Sequence, residues 1–381
     1  MIAPHGGKLV NRVAEGKKRE QAIEKAKASP KIAVKRELLQ DIENIANGIF
    51  SPLECFMNAK DFRSCITKNH LSNGVPWTVP IILDVDAATA KSIKDFAAIT
   101  DEKGEIHTLL TVEDKYTFDK EEMSKAVYGT TDIKHPGVER THNLKDTLIG
   151  GHIDLIGKLP DPYEKYNLTP AGTRKVFEEK GWKTVCAFQT RNVPHLGHEI
   201  LQKTVIGLAD GLLIHPIIGK KKKGDFKDHL ILKAYEVCID NYFNKEHVFL
   251  NILPTEMRYA GPKEAIHHAI MRKNYGCTHI IIGRDHAGVG KFYHEEAAIN
   301  IFSEFPDMGI QPIFIRGDFY YCKKCLGISS DRTCKHPEEH RINFSGTVIR
   351  NMILQHTPPP PEIMRPEVFD VINKDPSPFV E

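Results

Sequence analysis

No stretch of this 381-residue sequence comes near 18 consecutive apolar residues, and its opening, MIAPHGGKLVNRVAEGKKRE, lacks the apolar core of a signal peptide. These absences argue against a membrane-spanning helix and predict a cytoplasmic location. An excess of either charge is also missing: 52 Lys and Arg against 50 Asp and Glu leave a net charge of +2. A chain built to coat nucleic acid or an anionic membrane would be far more basic. Cysteine is sparse, eight residues in all, too few for a disulfide scaffold. No internal repeat is visible, and low complexity is confined to Lys220–Lys223 and the four prolines of QHTPPPPE.

What remains is an ordinary globular composition, 41% hydrophobic and 27% charged, in a chain long enough for two domains and a third small one. Helical spacing runs from Gln21 to Lys27. Short runs such as Trp77–Asp84 and Leu109–Val112, separated by turn signals (Ser72-Asn73-Gly74, Asp101–Gly104, His135-Pro136-Gly137), predict a small β-rich barrel or sandwich. Leu159–Thr173, with three prolines, reads as a linker. Beyond it, strand-length apolar runs (Thr184–Phe188, Gly211–Ile218, His247–Leu253, His279–Ile282) alternate with helix-length stretches such as His198–Leu208 and Lys263–Asn274. That alternation predicts a parallel, doubly wound sheet. The expected division is 1–165, 166–320 and 321–381.

The densest cluster of chemistry-bearing residues is Gln189-Thr190-Arg191-Asn192-Val193-Pro194-His195-Leu196-Gly197-His198-Glu199, between a predicted strand and a predicted helix. In a doubly wound sheet this is the carboxyl edge, where ligands bind. A helix N-terminus there suits phosphate. His195 and His198, three apart, project from one side of the first turn, and Gly197 leaves room for close approach to the backbone. Two imidazoles and a guanidinium could stabilise charge growing on a phosphoryl group. The bland alternative is that Asn192 caps the helix and the histidines are surface residues. An HxGH element after the first strand resembles the nucleotidyltransferase superfamily, which uses it on the phosphates of ATP.

A second loop, Gly283-Arg284-Asp285-His286-Ala287-Gly288-Val289-Gly290, follows another predicted strand. Its glycines do not form GxGxxG, yet such a loop can bring backbone N–H groups and Arg284 against an anion or a purine. Together the two motifs resemble the sulfate adenylyltransferase (ATP sulfurylase) family, with its QTRNPxHxxHE and GRDHAGPG signatures. His215–Gly219, Met257–Ala265, Gly48–Leu53, His135–Val138 and Phe344–Arg350 also match elements of that family. Val193 and Val289 depart from its prolines without removing a functional group.

The resemblance implies a PUA-like β-rich N-terminal domain, a Rossmann-like catalytic domain and a small C-terminal domain, in a homodimer. It implies that sulfate attacks the α-phosphorus of MgATP, giving adenosine 5′-phosphosulfate and pyrophosphate. By position, Gln189, Arg191 and the backbone of Ala287 would hold sulfate. Thr190, Arg191 and Asn192 would form the active-site trio, with Gln189 to Asn192 also touching ATP. His195 and His198 would stabilise the transition state, and Gly283, Arg284, Asp285 and His286 would line the nucleotide site. Sulfate is fully ionised near neutral pH, so no general base is called for. Arg191 offers a tetrahedral oxyanion several donors, where Lys offers a point charge. A class I aminoacyl-tRNA synthetase is opposed by the lack of a KMSKS-like loop. An RNA-binding protein is opposed by the near-zero net charge and the lack of an aromatic and basic stripe.

Three cysteines cluster near the C-terminus. Cys322 and Cys325 form a C-x₂-C knuckle and Cys334 follows, with His336 and His340 beyond. A Cys₃His set predicts a structural zinc ion. His340 is preferred to His336 as fourth ligand, because a longer loop relieves the strain of C-x-H spacing. Lys220–Lys223 reads as a solvated loop or as a lid near the phosphates. Ser345-Gly346-Thr347 reads as a phosphate-lining element or a helix cap, and His5, His267 and His268 as surface or core-edge histidines.

Overall fold

Alanine and isoleucine decide how the N-terminal region closes. In the computed structural model, which describes every residue except Ser345 and the side chain of Thr347, the helix Gly16–Ala28 buries Ala22 and Ala26 against Ala98 and Leu109 of a sheet. Small side chains let the helix lie close to the strands, and its Lys and Glu residues stay outside. The sheet runs in the order Lys31–Ala33, Phe96–Thr100, Ile106–Thr117, Thr147–Leu155, Cys55–Phe56, with Asp84–Val85 also pairing with Thr147–Leu155. Its pairings are antiparallel except that of Lys31–Ala33 with Phe96–Thr100. The helix Arg36–Ala46 buries Leu39, Ile42 and Ile45; its spacing was legible but hidden by the turn signals around it.

One expected strand is only partly there. Residues 77–83 join no ladder and bend at Val79, and pairing begins at Asp84–Val85. Pro80 carries no N–H to donate, so the run cannot act as an interior strand. Trp77 is fully buried instead, its indole N–H donating to the Val79 carbonyl at 2.6 Å.

The chain folds as two compact units, Met1–Val176 with Pro254–Phe314, and Phe177–Leu253 with Ile315–Glu381. The first therefore incorporates a piece from far along the sequence. Asn274 fastens it: the side-chain amide donates to the carbonyls of Ile49 and Ser51, and its oxygen accepts from the N–H of His5, all at 2.9 Å. Arg174 adds three bonds, to the carbonyls of Ile2, Lys273 and Asn274. This piece carries the helix Pro262–Asn274 and the parallel strand pair His279–Ile282 and Gln311–Phe314.

The second unit holds the parallel strands Val185–Thr190, Gly211–Ile218 and Val248–Leu250, with Leu196–Ile206 and Asp228–Tyr242 as connecting helices. All eight residues of Gly211–Ile218 are buried, which is why that run is apolar without alternation. An antiparallel sheet follows, Gly327–Ser330, Phe319–Cys322 and Arg341–Asn343, and then the helices Gly346–Leu354 and Pro366–Asn373. Among the described residues, no helix is long and apolar enough to cross a membrane.

Candidate active site

The segment Gln189–Glu199 sits where a parallel strand hands over to a helix. Gln189 and Thr190 end the strand, and the helix begins at Leu196 with His195 at its N-cap position. Asn192 is thus not the cap. It is exposed, and a local turn holds it: Thr190 Oγ1 accepts from the Asn192 N–H and donates to the Asn192 carbonyl, both at 3.1 Å. Arg350 Nη2 donates to Asn192 Oδ1 at 3.4 Å. Leu196 N–H donates to the Ile363 carbonyl at 2.8 Å, tying the helix start to the C-terminal segment.

His195 and His198 stack face to face, ring centroids 3.8 Å apart and 22° from parallel. Phe344 stacks on the other face of His195 at 5.4 Å, and Phe188 meets His198 edge-on at 5.5 Å. Burial drives both imidazoles toward neutrality, His198 to about 4 and His195 well below its ordinary value, with each other's charge adding to the effect on His195. Both Nδ1 atoms are buried without a hydrogen-bond partner. Two neutral rings with unspent polar atoms suit a site that gains its partner only when a ligand arrives.

Gly197 has a different job from the one its spacing suggested. A Cβ there would lie 2.8 Å from Phe344 Cδ2 and 2.9 Å from His195 Cε1. The missing side chain makes room for the His195–Phe344 stack rather than for a ligand. Behind the histidines, Arg365 grips Glu199 with two bonds of 3.0 and 2.7 Å, and Lys203 adds a third at 2.7 Å. Burial raises the Glu199 carboxyl, but these donors outweigh it and hold the group below its ordinary range.

The loop Gly283–Gly290 belongs to the first unit. Asp285 and Ala287 both take left-handed backbone angles, φ +50° and +58°, which Asp tolerates and which strains Ala. A Cβ on Gly288 would fall 1.9 Å from Asp285 Oδ1, so only glycine lets that carboxylate fold back. Burial, then the nearby Glu295, raises Asp285 above the usual carboxylate range.

A buried carboxylate supports this loop. Glu264, with no exposure, accepts the N–H groups of Arg258 at 2.7 Å and Ala260 at 2.9 Å. Its Oε1 lies 3.4 Å from Nε2 of His268, whose Nδ1 lies 3.1 Å from Nε2 of His286. The Gly261 N–H donates to the Ala287 carbonyl at 3.1 Å. His267 and His268 are therefore core residues, 2% and 1% exposed, as is His5 at 2%; the expectation of surface or core-edge positions is corrected. Ile266 and Ala269 flank the His267-His268 pair, which was the available signal there.

Comparison with known proteins decides the lineage. The sequence model of the ATP-sulfurylase family matches residues 164–375, and that of the PUA-like domain matches 2–158. A sulfate adenylyltransferase of Ignicoccus hospitalis is 51% identical over 379 residues, 99% of each chain. One from Pyrococcus abyssi is 48% identical over 378 residues, again 99% of each. The chain belongs to the ATP-sulfurylase family. Among solved structures, a hexameric APS kinase from Thiobacillus denitrificans shares the fold, with a TM-score of 0.79 at 22% identity over 99% of this chain and 69% of that one.

This ATP-sulfurylase chain carries its cysteine cluster on the hairpin Phe319–Cys322/Gly327–Ser330. Cys334 Sγ stands 3.6 Å from both Cys322 Sγ and Cys325 Sγ, and His336 Nδ1 stands 3.4 Å from all three sulfurs. Tetrahedral zinc with bonds of about 2.3 Å to sulfur and about 2.0 Å to nitrogen would separate its ligands by about 3.5–3.8 Å. The set therefore fits zinc. The fourth member is His336, not His340. The short C-x-H link is eased because the His336 N–H turns back to donate to Cys334 Sγ at 3.4 Å. His340 instead sits on a 3₁₀ turn, where its carbonyl accepts the Lys323 N–H at 2.9 Å. Thiolate character begins before any metal: the His336 N–H, then neighbouring side-chain donors, bring Cys334 down to about 6.

Lys220–Lys223 is not simply solvated. Lys221 pairs with Asp228 at 2.9 Å, its side chain 8% exposed, while the C-terminal tail pins the loop through Gly224 N–H to the Val380 carbonyl and Phe226 on Phe379. Of Ser345-Gly346-Thr347, Ser345 and the Thr347 side chain lie outside the described residues. Gly346 begins a helix.

Proposed function

We infer that this chain is a sulfate adenylyltransferase, joining sulfate to the α-phosphorus of MgATP with release of pyrophosphate. The observation that carries the reading is a strand-to-helix junction presenting Gln189, Thr190, Arg191 and Asn192 beside a stacked, neutral His195–His198 pair, in a chain of this family. Gln189, Arg191 and the Ala287 N–H hold sulfate. Residues 189–192 and Gly283–His286 bind the nucleotide. His195 and His198 donate N–H bonds to phosphoryl oxygens as charge builds there, and no covalent intermediate forms. Magnesium enters with ATP and neutralises part of the phosphate charge. Zinc, held by Cys322, Cys325, Cys334 and His336, has a full protein shell and staples the C-terminal hairpin.

The enzyme works as a homodimer in the cytoplasm, in three parts divided near residues 165 and 320. A cytoplasmic setting supplies ATP and keeps clustered thiols reduced.

The test is pyrophosphate release from MgATP, which must require sulfate and need neither amino acid nor RNA. Arg191→Lys should lower kcat/KM for sulfate by about 10²-fold while ATP affinity stays close to wild type. Release without sulfate, or a variant with unchanged use of sulfate, overturns the reading.

A further inference from the structure

One imidazole in the N-terminal sheet has nothing to bond to. His107 is 3% exposed, and both of its ring nitrogens are buried without a hydrogen-bond partner. Leaving such groups unmet in a protein interior is costly, so a buried orphan of this kind points to a missing ligand. The strand pairing shows how it comes to be there. Ile99 pairs with Thr108 and Thr100 with Ile106, so His107 is the extra residue of a β-bulge. A bulge re-aims the side chain it carries. The backbone around it is fixed, because the His107 carbonyl accepts the N–H groups of Ile156 at 2.8 Å and Gly157 at 2.9 Å.

The ring is aimed at two carboxylates. One nitrogen of His107 and one oxygen each of Asp101 and Glu105 all lie within 4.8 Å of one another. Neither carboxylate hydrogen-bonds to the ring, and an ion with bonds of about 2.0–2.2 Å would draw the three groups together. Asp101 is already oriented, since its Oδ1 accepts the N–H groups of Lys103 at 3.0 Å and Glu105 at 2.8 Å.

We propose that Asp101, Glu105 and His107 bind a divalent first-row transition ion of the zinc and manganese class, separate from the cysteine cluster. Two carboxylates and one imidazole suit such an ion, whereas magnesium and calcium take oxygen ligands. The ion meets the orphaned imidazole and ties the Asp101–Glu105 turn to the bulge behind it. Glu105 is exposed, which leaves the outer coordination positions to water. The role is structural and independent of the reaction.

The test uses the full chain as purified, without nucleotide, titrated with Mn²⁺ and followed by the electron paramagnetic resonance of the free ion. Manganese is a poor competitor for thiolate ligands, so the cysteine cluster keeps its own metal. One saturable Mn²⁺ site per chain is expected. Glu105→Gln, at an exposed position that leaves the core intact, should weaken it at least about tenfold, since even outer-shell partners of a metal ligand are worth that much. His107→Ala should abolish it. No saturable binding to the wild type, or equal affinity in wild type and Glu105→Gln, overturns the proposal.

Discussion

An imidazole that is to meet charge on a departing pyrophosphate must be close-packed, oriented and unspent beforehand. His195 and His198 satisfy each condition through neighbours: Phe344 and Phe188 clamp the rings, and Gly197 leaves the space. Replacing either histidine with Ala should lower kcat about 10²-fold or more with a smaller change in KM for ATP, measured by sulfate-dependent pyrophosphate release. A loss confined to ATP affinity would assign them to ground-state binding. Gly197→Ala should do comparable damage without touching a polar group, because its Cβ would push His195 off Phe344. The strand-to-helix junction that carries the two histidines and Arg191 was legible in the sequence, since an apolar run followed by a helix start marks it. Phe344 was not: it stands 146 positions after His198, and no local pattern marks one aromatic residue as the packing partner of another.

At the scale of elements, the cysteine hairpin and the Glu264 cluster make opposite points about spacing. The C-x₂-C knuckle and the third cysteine announced a metal site, but choosing His340 over His336 rested on a strain argument that ignored the backbone. A turn that donates the His336 N–H to Cys334 Sγ removes that strain. Elemental analysis should find about one zinc per chain in the cysteine cluster, lost in His336→Ala and kept in His340→Ala. The melting temperature should fall only with the former. Glu264 is the reverse case, a charged residue inside a helix whose faces are nearly all buried. Its place beside Ala265 and Ile266 was the available signal, and it does not say what the carboxylate holds. Glu264→Ala would leave the Arg258 and Ala260 N–H groups unmet and remove the carboxylate that faces His268 Nε2. It should cost about 2–4 kcal/mol of stability by denaturant titration and weaken ATP binding, through the release of His286 and Ala287. Unchanged nucleotide affinity in a folded Glu264→Ala protein would detach that cluster from the loop.

Across the whole molecule the most general prediction concerns acid. His5 and His198 are held near 4, and His195 and His267 well below their ordinary value, in each case first of all by burial. Unfolded, each would take up a proton below about 6.5. Between that pH and about 4 the unfolded chain binds more protons than the native one, so stability rises with pH through this window and falls as pH is lowered through it. Denaturation midpoints should drop steadily from pH 6.5 to 4, with an uptake of at least two protons on unfolding near pH 5. A flat profile would mean these histidines are solvated in solution.

A change of rhythm near Leu159 was visible, because strands with turns and strands with helices differ in period. That Pro254–Phe314 packs with the N-terminal residues was not visible. The bonds of Asn274 and Arg174 that fasten it join residues roughly 100 to 270 positions apart, and nothing in a single sequence records such pairs.

The central claim is that an oxygen of sulfate attacks phosphorus, with residues 189–198 binding and stabilising. Sulfate labelled with ¹⁸O at every oxygen, incubated with the enzyme and MgATP, tests it most directly by mass spectrometry of the products. The account predicts adenosine 5′-phosphosulfate that keeps all of the label, its bridging oxygen included, alongside unlabelled pyrophosphate. A product that has lost one labelled oxygen, or pyrophosphate released without any phosphosulfate, would contradict it.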